Sequence, residues 1–254
     1  MKNLIIKENE IYDNKELKET GYISAYKNSK VSLPNVKTTW SISAYENSKV
    51  SMPNVQTTGY IYAYENSKVS LPNVQTTGGI SAHENSNVSL PNVQETGNIY
   101  AHENCKIEIP QTKGKKYRSI DNTLFIVENK RKIKGYVILK GYILQSIKNG
   151  IGIEKHCFVA QKDGFNAHGP TIKEAIKDLE NKILSEKIKH EPIFMDTMID
   201  INYYHVVTGS CILGIKSWMQ QNNITVDSIS VRELLPILEK TNAYNLDKLK
   251  KLIK

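Results

Sequence analysis

The chain is poor in the residues that usually announce a chemistry. Its three cysteines, Cys105, Cys157 and Cys211, make neither a disulfide framework nor a zinc spacing. No run of about 18 apolar residues is present, which excludes a spanning helix. The N-terminus, MKNLIIKENE, meets charge before a signal-like apolar core can form, so a cytoplasmic protein without a membrane partner is expected. A phosphate-cradling glycine loop, a paired acidic motif and a serine elbow are all missing. No two ligands stand at metal spacing, so no metal, cofactor or catalytic residue is expected.

What is present is a repeat. A shift of 19 residues aligns most of the first half, with copies starting at Gly21, Trp40, Gly59, Gly78 and Gly97. Ile23, Ile42, Ile61, Ile80 and Ile99 recur in step, each with an alanine two residues later. Val31, Val50, Val69, Val88 and Ile107 follow, again with an apolar partner two further on. A spacing of two places each pair on one face of a strand, so every unit carries two short strands. Proline ends the second strand at Pro34, Pro53, Pro72, Pro91 and Pro110. Asn28, Asn47, Asn66, Asn85 and Asn104 sit between the strands, where they suit turns and stacked amide hydrogen bonds. One unit is too small to bury its own face, so the expected fold is a parallel β-solenoid over residues 1–112. Residues 1–20 read as a degenerate cap coil, because Leu4, Ile6, Asn9 and Leu17 fall 19 before Ile23, Ala25, Asn28 and Val36.

The repeat also presents a row of rings: Tyr26, Tyr45, Tyr64, His83 and His102 share one register. Such a row is a structural ladder, a partner-binding face or a base-stacking stripe. Glu46, Glu65, Glu84 and Glu103 stand beside it and disfavour the last.

The net charge of +8 is not spread evenly. Residues 20–112 hold six Lys and six acids, whereas residues 113–254 hold 24 Lys and Arg against 15 acids. Two clusters stand out: Lys113, Lys115, Lys116 and Arg118 at the junction, and Lys130, Arg131, Lys132 and Lys134, expected in a hairpin turn. An acidic protein or ribonucleoprotein surface, or RNA itself, is the partner such clusters suit.

From Tyr117 the period changes. Strands are expected at 124–128, 136–139, 141–147 and 157–161, with turns at Asn129–Lys130, Asn149–Gly150 and Asp163–Gly164. Thr171 and Glu174 form a capping box for a helix reaching about Ile188, giving an antiparallel sheet plus helix over 113–190. A helical tail follows over 191–254, with a helix start at Thr208-Gly209-Ser210 continuing over 211–221, a cap at Ser230 or Ser228 and another at Asn245. A Cys157–histidine pair with His168 or His205 is the alternative enzymatic reading, with His156 and His190 as the remaining candidates. Cys157 and Cys211 both stand among apolar neighbours, which favours core roles.

The stretch from Cys157 to Ile183, with Gly169, Thr171, Glu174 and Ala175, resembles the strand–loop–helix of HicB-like antitoxin domains. The whole layout is similar to uncharacterised phage and prophage repeat proteins. Those join coils of the Pro-Asn-Val…Thr-Gly-Tyr-Ile type to a tail like AHGPTIKEAIKDL, HVVTGSC and TNAYNLDKLKKLI. The resemblance implies a mobile-element origin and a non-enzymatic binding role, such as inhibition of a CRISPR-type nuclease complex. A plain nucleic-acid-binding protein and a structural scaffold are the alternatives.

Overall fold

The computed structural model describes residues 1–190 and 192–254, with the side chains of Lys189 and His190 outside the described set. The chain falls into two compact units, Met1–Ala175 and Ile176–Lys254. The expected division between 190 and 191 touches residue 191, which lies outside the described residues.

The first unit opens with the solenoid, about six coils long. One side is built from β1 (Leu4–Ile6), β3 (Glu19–Ala25), β5 (Thr38–Ala44), β7 (Thr57–Ala63), β9 (Thr76–Ala82), β11 (Glu95–Thr96) and β12 (Ile99–Ala101). The other carries β2 (Ile11–Asp13), β4 (Lys30–Ser32), β6 (Lys49–Ser51), β8 (Lys68–Ser70), β10 (Asn87–Ser89) and β13 (Lys106–Glu108). All neighbouring coils pair in parallel, with Ile23 on Ile42, Ile42 on Ile61 and Ile61 on Ile80. The register equals the sequence period, so identical residues stack. Ile61, Ala63, Leu71 and Val74 of the third repeat are completely buried, and their copies line the same continuous core.

The turns explain the asparagines. Asn9, Asn28, Asn47, Asn66, Asn85 and Asn104 all have φ between 55° and 61°, a left-handed conformation that asparagine adopts more readily than other non-glycine residues. They do not form the expected amide ladder; among them only Asn28 bonds to Asn9, at 3.2 Å. The recurring amide bonds come from the asparagine after each proline: Asn54, Asn73 and Asn92 donate to the carbonyls of Pro34, Pro53 and Pro72 at 2.7–2.8 Å. This second set reaches one coil back to the proline carbonyl.

The C-terminal end of the solenoid is closed by an antiparallel sheet: β14 (Lys116–Ile120), β15 (Thr123–Ile133), β16 (Tyr136–Lys148), β17 (Ile151–Lys162) and β18 (Phe165–Gly169). Tyr100 pairs with Thr123 and Thr96 with Ile147, so the hairpin continues the solenoid sheet. Leu124, Ile126, Tyr142 and Leu144 then complete its core. The turns at Asn149–Gly150 and Asp163–Gly164 form as expected, both with positive φ. The turn expected at Asn129–Lys130 does not. That position is a β-bulge inside a long strand, and the chain reverses at Lys134–Gly135, φ 45° and 84°. A two-residue turn of this kind needs positive φ at both positions, and Gly135 supplies the second without strain where Lys130 would not. The expected strands 136–139 and 141–147 are accordingly one strand.

Helix α1 (Ile172–His190) starts at the expected capping box: Glu174 N–H donates to Thr171 Oγ1, and the Thr171 hydroxyl donates to the Glu174 carboxylate at 2.8 Å. Gly169 lets strand and helix meet, since a Cβ there would lie 2.7 Å from the Ala175 backbone nitrogen.

The second unit contains the rest of this helix, then β19 (Met198–Asp200), α2 (Ile201–Thr208), α3 (Ile212–Gln221), β20 (Ser228–Ser230), α4 (Val231–Lys240) and α5 (Leu246–Lys250). β19 and β20 pair antiparallel. Ile199, Tyr204, Ile215, Val231, Leu234, Leu238 and Leu249 form its core. Ser230 caps α4 as expected, accepting from Glu233 N–H. Two expectations are corrected. Thr208-Gly209-Ser210 closes one helix before the expected one opens: left-handed Gly209 ends α2, and α3 starts at Ile212 with Cys211 as its N-cap. Asn245 itself is left-handed and offers α5 no side-chain cap.

Candidate functional site

The aromatic row is a stack. Ring centroids are 5.1 Å apart for Tyr26–Tyr45, 5.0 Å for Tyr45–Tyr64, 4.5 Å for Tyr64–His83 and 3.9 Å for His83–His102. The planes of the first two pairs lie within 7° of parallel. Each ring follows the inward alanine of its coil, and its N–H donates to the preceding coil, as Tyr45 does to Ala25 at 2.9 Å. The coil pitch of about 4.8 Å therefore sets the ring spacing. Ring faces are covered by ring faces, so the interior of the ladder offers edges and hydroxyls, not the open π-faces that base stacking needs. Tyr62 extends the stack sideways to Tyr60, and Tyr22 meets Trp40 edge-on at 5.5 Å. Burial and the adjacent His102 lower the His83 pKa, and Ser81 Oγ lies 2.8 Å from its Nε2. Burial, then Tyr45 and Tyr62, raise that of Tyr64.

The eight basic candidates do not form one patch. Residues paired across strands share a face of the sheet. Lys116 opposes Val127, Arg118 opposes Phe125, Lys130 opposes Leu139 and Lys132 opposes Val137. Lys155 opposes Ile143 on that same face. These five cations surround a buried apolar centre of Phe125, Leu139, Ile143, Cys157 and Val159. None of the five takes part in an ion pair among the described residues, although an acid does reach this face: His168, opposite Val159, holds the Asp121 carboxylate at 3.1 Å. Arg131 points the other way. With Asn129, Ile138, Lys140 and Phe158 it lines an open cavity of about 320 Å³. Lys134 sits in the turn and Lys113 is exposed beyond the Pro110–Thr112 turn. Lys115 is tied down, donating to the Tyr142 hydroxyl at 2.9 Å, a bond that raises its pKa.

The thiols separate by environment. Cys157 is buried in a strand and burial raises its pKa against the opposing effect of Lys155. It makes no hydrogen bond to a histidine among the described residues. His168 lies 3.1 Å from Asp121, His205 meets the Ser210 carbonyl at 2.7 Å, and His156 leans on Tyr142. The His190 side chain lies outside the described residues. Cys105 replaces the buried serine of earlier coils, and burial pushes its thiol up to about 11. Cys211 is not in the core-like setting expected. It is exposed at the N-cap of α3, and the N–H groups of Gly214 and Leu213 lower its pKa. Sequence alone missed this because Ile212 and Leu213 look like a core stripe, whereas Leu213 is 77% exposed.

No group of three or more His, Cys, Asp or Glu able to hold a metal occurs among the described residues, and no helix there is long and apolar enough to cross a membrane. Comparison with family models, curated proteins and solved structures gave no match.

Proposed function

We propose that the protein is a non-catalytic, macromolecule-binding protein whose basic sheet face docks on an acidic surface. In its sharp form, it is a phage-encoded inhibitor of a nuclease-type defence complex, such as a CRISPR effector, acting in the host cytoplasm. The observation that carries the binding role is the strand register of β14 to β17. It gathers Lys116, Arg118, Lys130, Lys132 and Lys155 on one face, none of them in an ion pair among the described residues. A face on which five cations outnumber the one carboxylate at its edge, Asp121 on His168, steers and positions an oppositely charged partner. The phage assignment and the defence target rest on the resemblance of the repeat and tail motifs.

The cavity on the opposite face supports a second reading. Arg131 and Lys140 flank Phe158 there, a cation–aromatic arrangement suited to a nucleotide of single-stranded RNA.

Affinity purification from a defended host, at two salt concentrations, tests both. A nuclease complex recovered by the wild type and lost on combined charge reversal at Lys116, Arg118, Lys130 and Lys132 is the expected result. RNA alone, lost on Arg131→Glu and weakening steeply with salt, selects the second reading. Recovery of neither a nuclease nor RNA overturns both.

A further inference from the structure

The second unit carries a half-open apolar pocket of about 330 Å³. Its walls are Tyr204, Ile215, Trp218, Ile229, Leu234 and Leu238. The charged residues lining it are Asp200 and Asp227, with no Lys, Arg or His. A more open vestibule of about 410 Å³ shares both carboxylates and adds the polar groups of Asn202 and Thr225. The Asp200 carboxylate is fixed, since it caps α2 by accepting from Tyr203 N–H at 2.6 Å. Asp227 is exposed and takes part in no ion pair among the described residues. Tyr244, also on the lining, is 78% exposed and offers a ring to a cation.

We propose that these adjoining pockets, which share Asp200, Ile201, Met219 and Asp227 in their linings, bind a small amphiphilic amine, its apolar body in the apolar pocket and its ammonium at Asp200 and Asp227. The inner volume lies within the range of ligand pockets, about 300–1,000 Å³. At about 30 Å³ per heavy atom, water's share of its liquid, it takes an alkyl or aryl group of roughly ten atoms. An apolar lining excludes a polar body, and the two carboxylates select against an anionic head. The site is separate from the basic sheet face and does not depend on that reading.

The test uses the full chain with Trp40→Phe, which leaves Trp218 as its sole tryptophan and places the reporter in the cavity wall. Decylamine, decanol and decanoate are titrated below their aggregation limits, following Trp218 emission and the rate of Cys211 alkylation. Decylamine is expected to bind about tenfold tighter than decanol, the sum of two rim ion pairs, with decanoate weakest. Asp227→Asn is expected to cut the preference for the amine about threefold and leave decanol binding unchanged. Gly214→Leu is the blocking variant, because a Cβ at Gly214 meets nothing within 4 Å. It should retain the thermal unfolding transition and lose binding of all three probes. Decanoate binding as tightly as decylamine overturns the proposal, as does unchanged binding by folded Gly214→Leu. Failure of all three probes to bind also overturns it, the result expected if a protein partner's side chain fills the cavity.

Discussion

At the residue scale, two adjacent turn positions in every coil have opposite requirements. Asn66 holds φ 60°, while the neighbouring Ser67 is fully buried with a hydroxyl that finds no hydrogen-bond partner among the described residues. Asn66→Ala should therefore destabilise the solenoid by about 1 kcal/mol, the cost of forcing alanine left-handed. Ser67→Ala should be neutral or stabilising by up to about 1 kcal/mol, because it removes a desolvated hydroxyl. Chemical denaturation of the two variants checks the contrast. The chain already contains a natural version of the second change, in Cys105. His83 supplies a pH dependence. Its pKa lies below the ordinary histidine value of 6.5, so its contribution to stability is fully present above that value. Stability then falls as pH drops from 6.5 through the lowered pKa, since the unfolded chain binds the proton first. His83→Tyr restores the ring of the preceding coils and should flatten this loss. Thermal unfolding between neutral and acid pH measures it.

At the element scale, the solenoid was legible and the sheet that closes it only in part. Every buried Ile-x-Ala and Val-x-Leu pair lies where its spacing of two places it, because each strand meets a copy of itself at the same register. The turns at Asn149–Gly150 and Asp163–Gly164 were legible for their glycines. Lys134–Gly135 was passed over in favour of Asn129–Lys130, and the bulge there reverses the facing of all later residues in β15. Alternation alone separates Arg131 from Lys130 and Lys132, and the offset decides that Lys130 and Lys132, not Arg131, share the face of Phe125 and Val127. The junction of β18 with α1 offers a test of close approach. Gly169→Val places atoms against the backbone of Ala175 and should cost about 2 kcal/mol or more by overpacking. Wild-type stability for this variant would show that strand and helix separate easily.

At the scale of the whole molecule, the two ends of the solenoid differ. The C-terminal end is completed by Leu124, Ile126, Tyr142 and Leu144, so removing residues 1–112 would strip the cover from those side chains. Charge reversal on the sheet, not deletion, is consequently the usable test of the basic face. Modularity predicts a cleaner excision. Deleting residues 59–77 removes one whole coil and brings Ile42 onto Ile80 with every inward row preserved. This variant should fold with parallel-sheet circular dichroism and lower stability, whereas deleting ten residues should prevent folding. Failure of the 19-residue deletion to fold would show that the coils are not independent.

The period of 19, the inward residues and the left-handed asparagines were determined by sequence alone, because in a solenoid the neighbour of each residue is its own copy. Local pattern then is tertiary contact. Outside the repeat that identity is lost. The facing of Lys116, Arg118, Lys130, Lys132 and Lys155, the exposure of Cys211 and the cavity beside it depend on which distant segments meet. A bulge, a helix end and a pocket lined by Trp218, Leu234 and Leu238 have no period to betray them, so only the tertiary structure decided them.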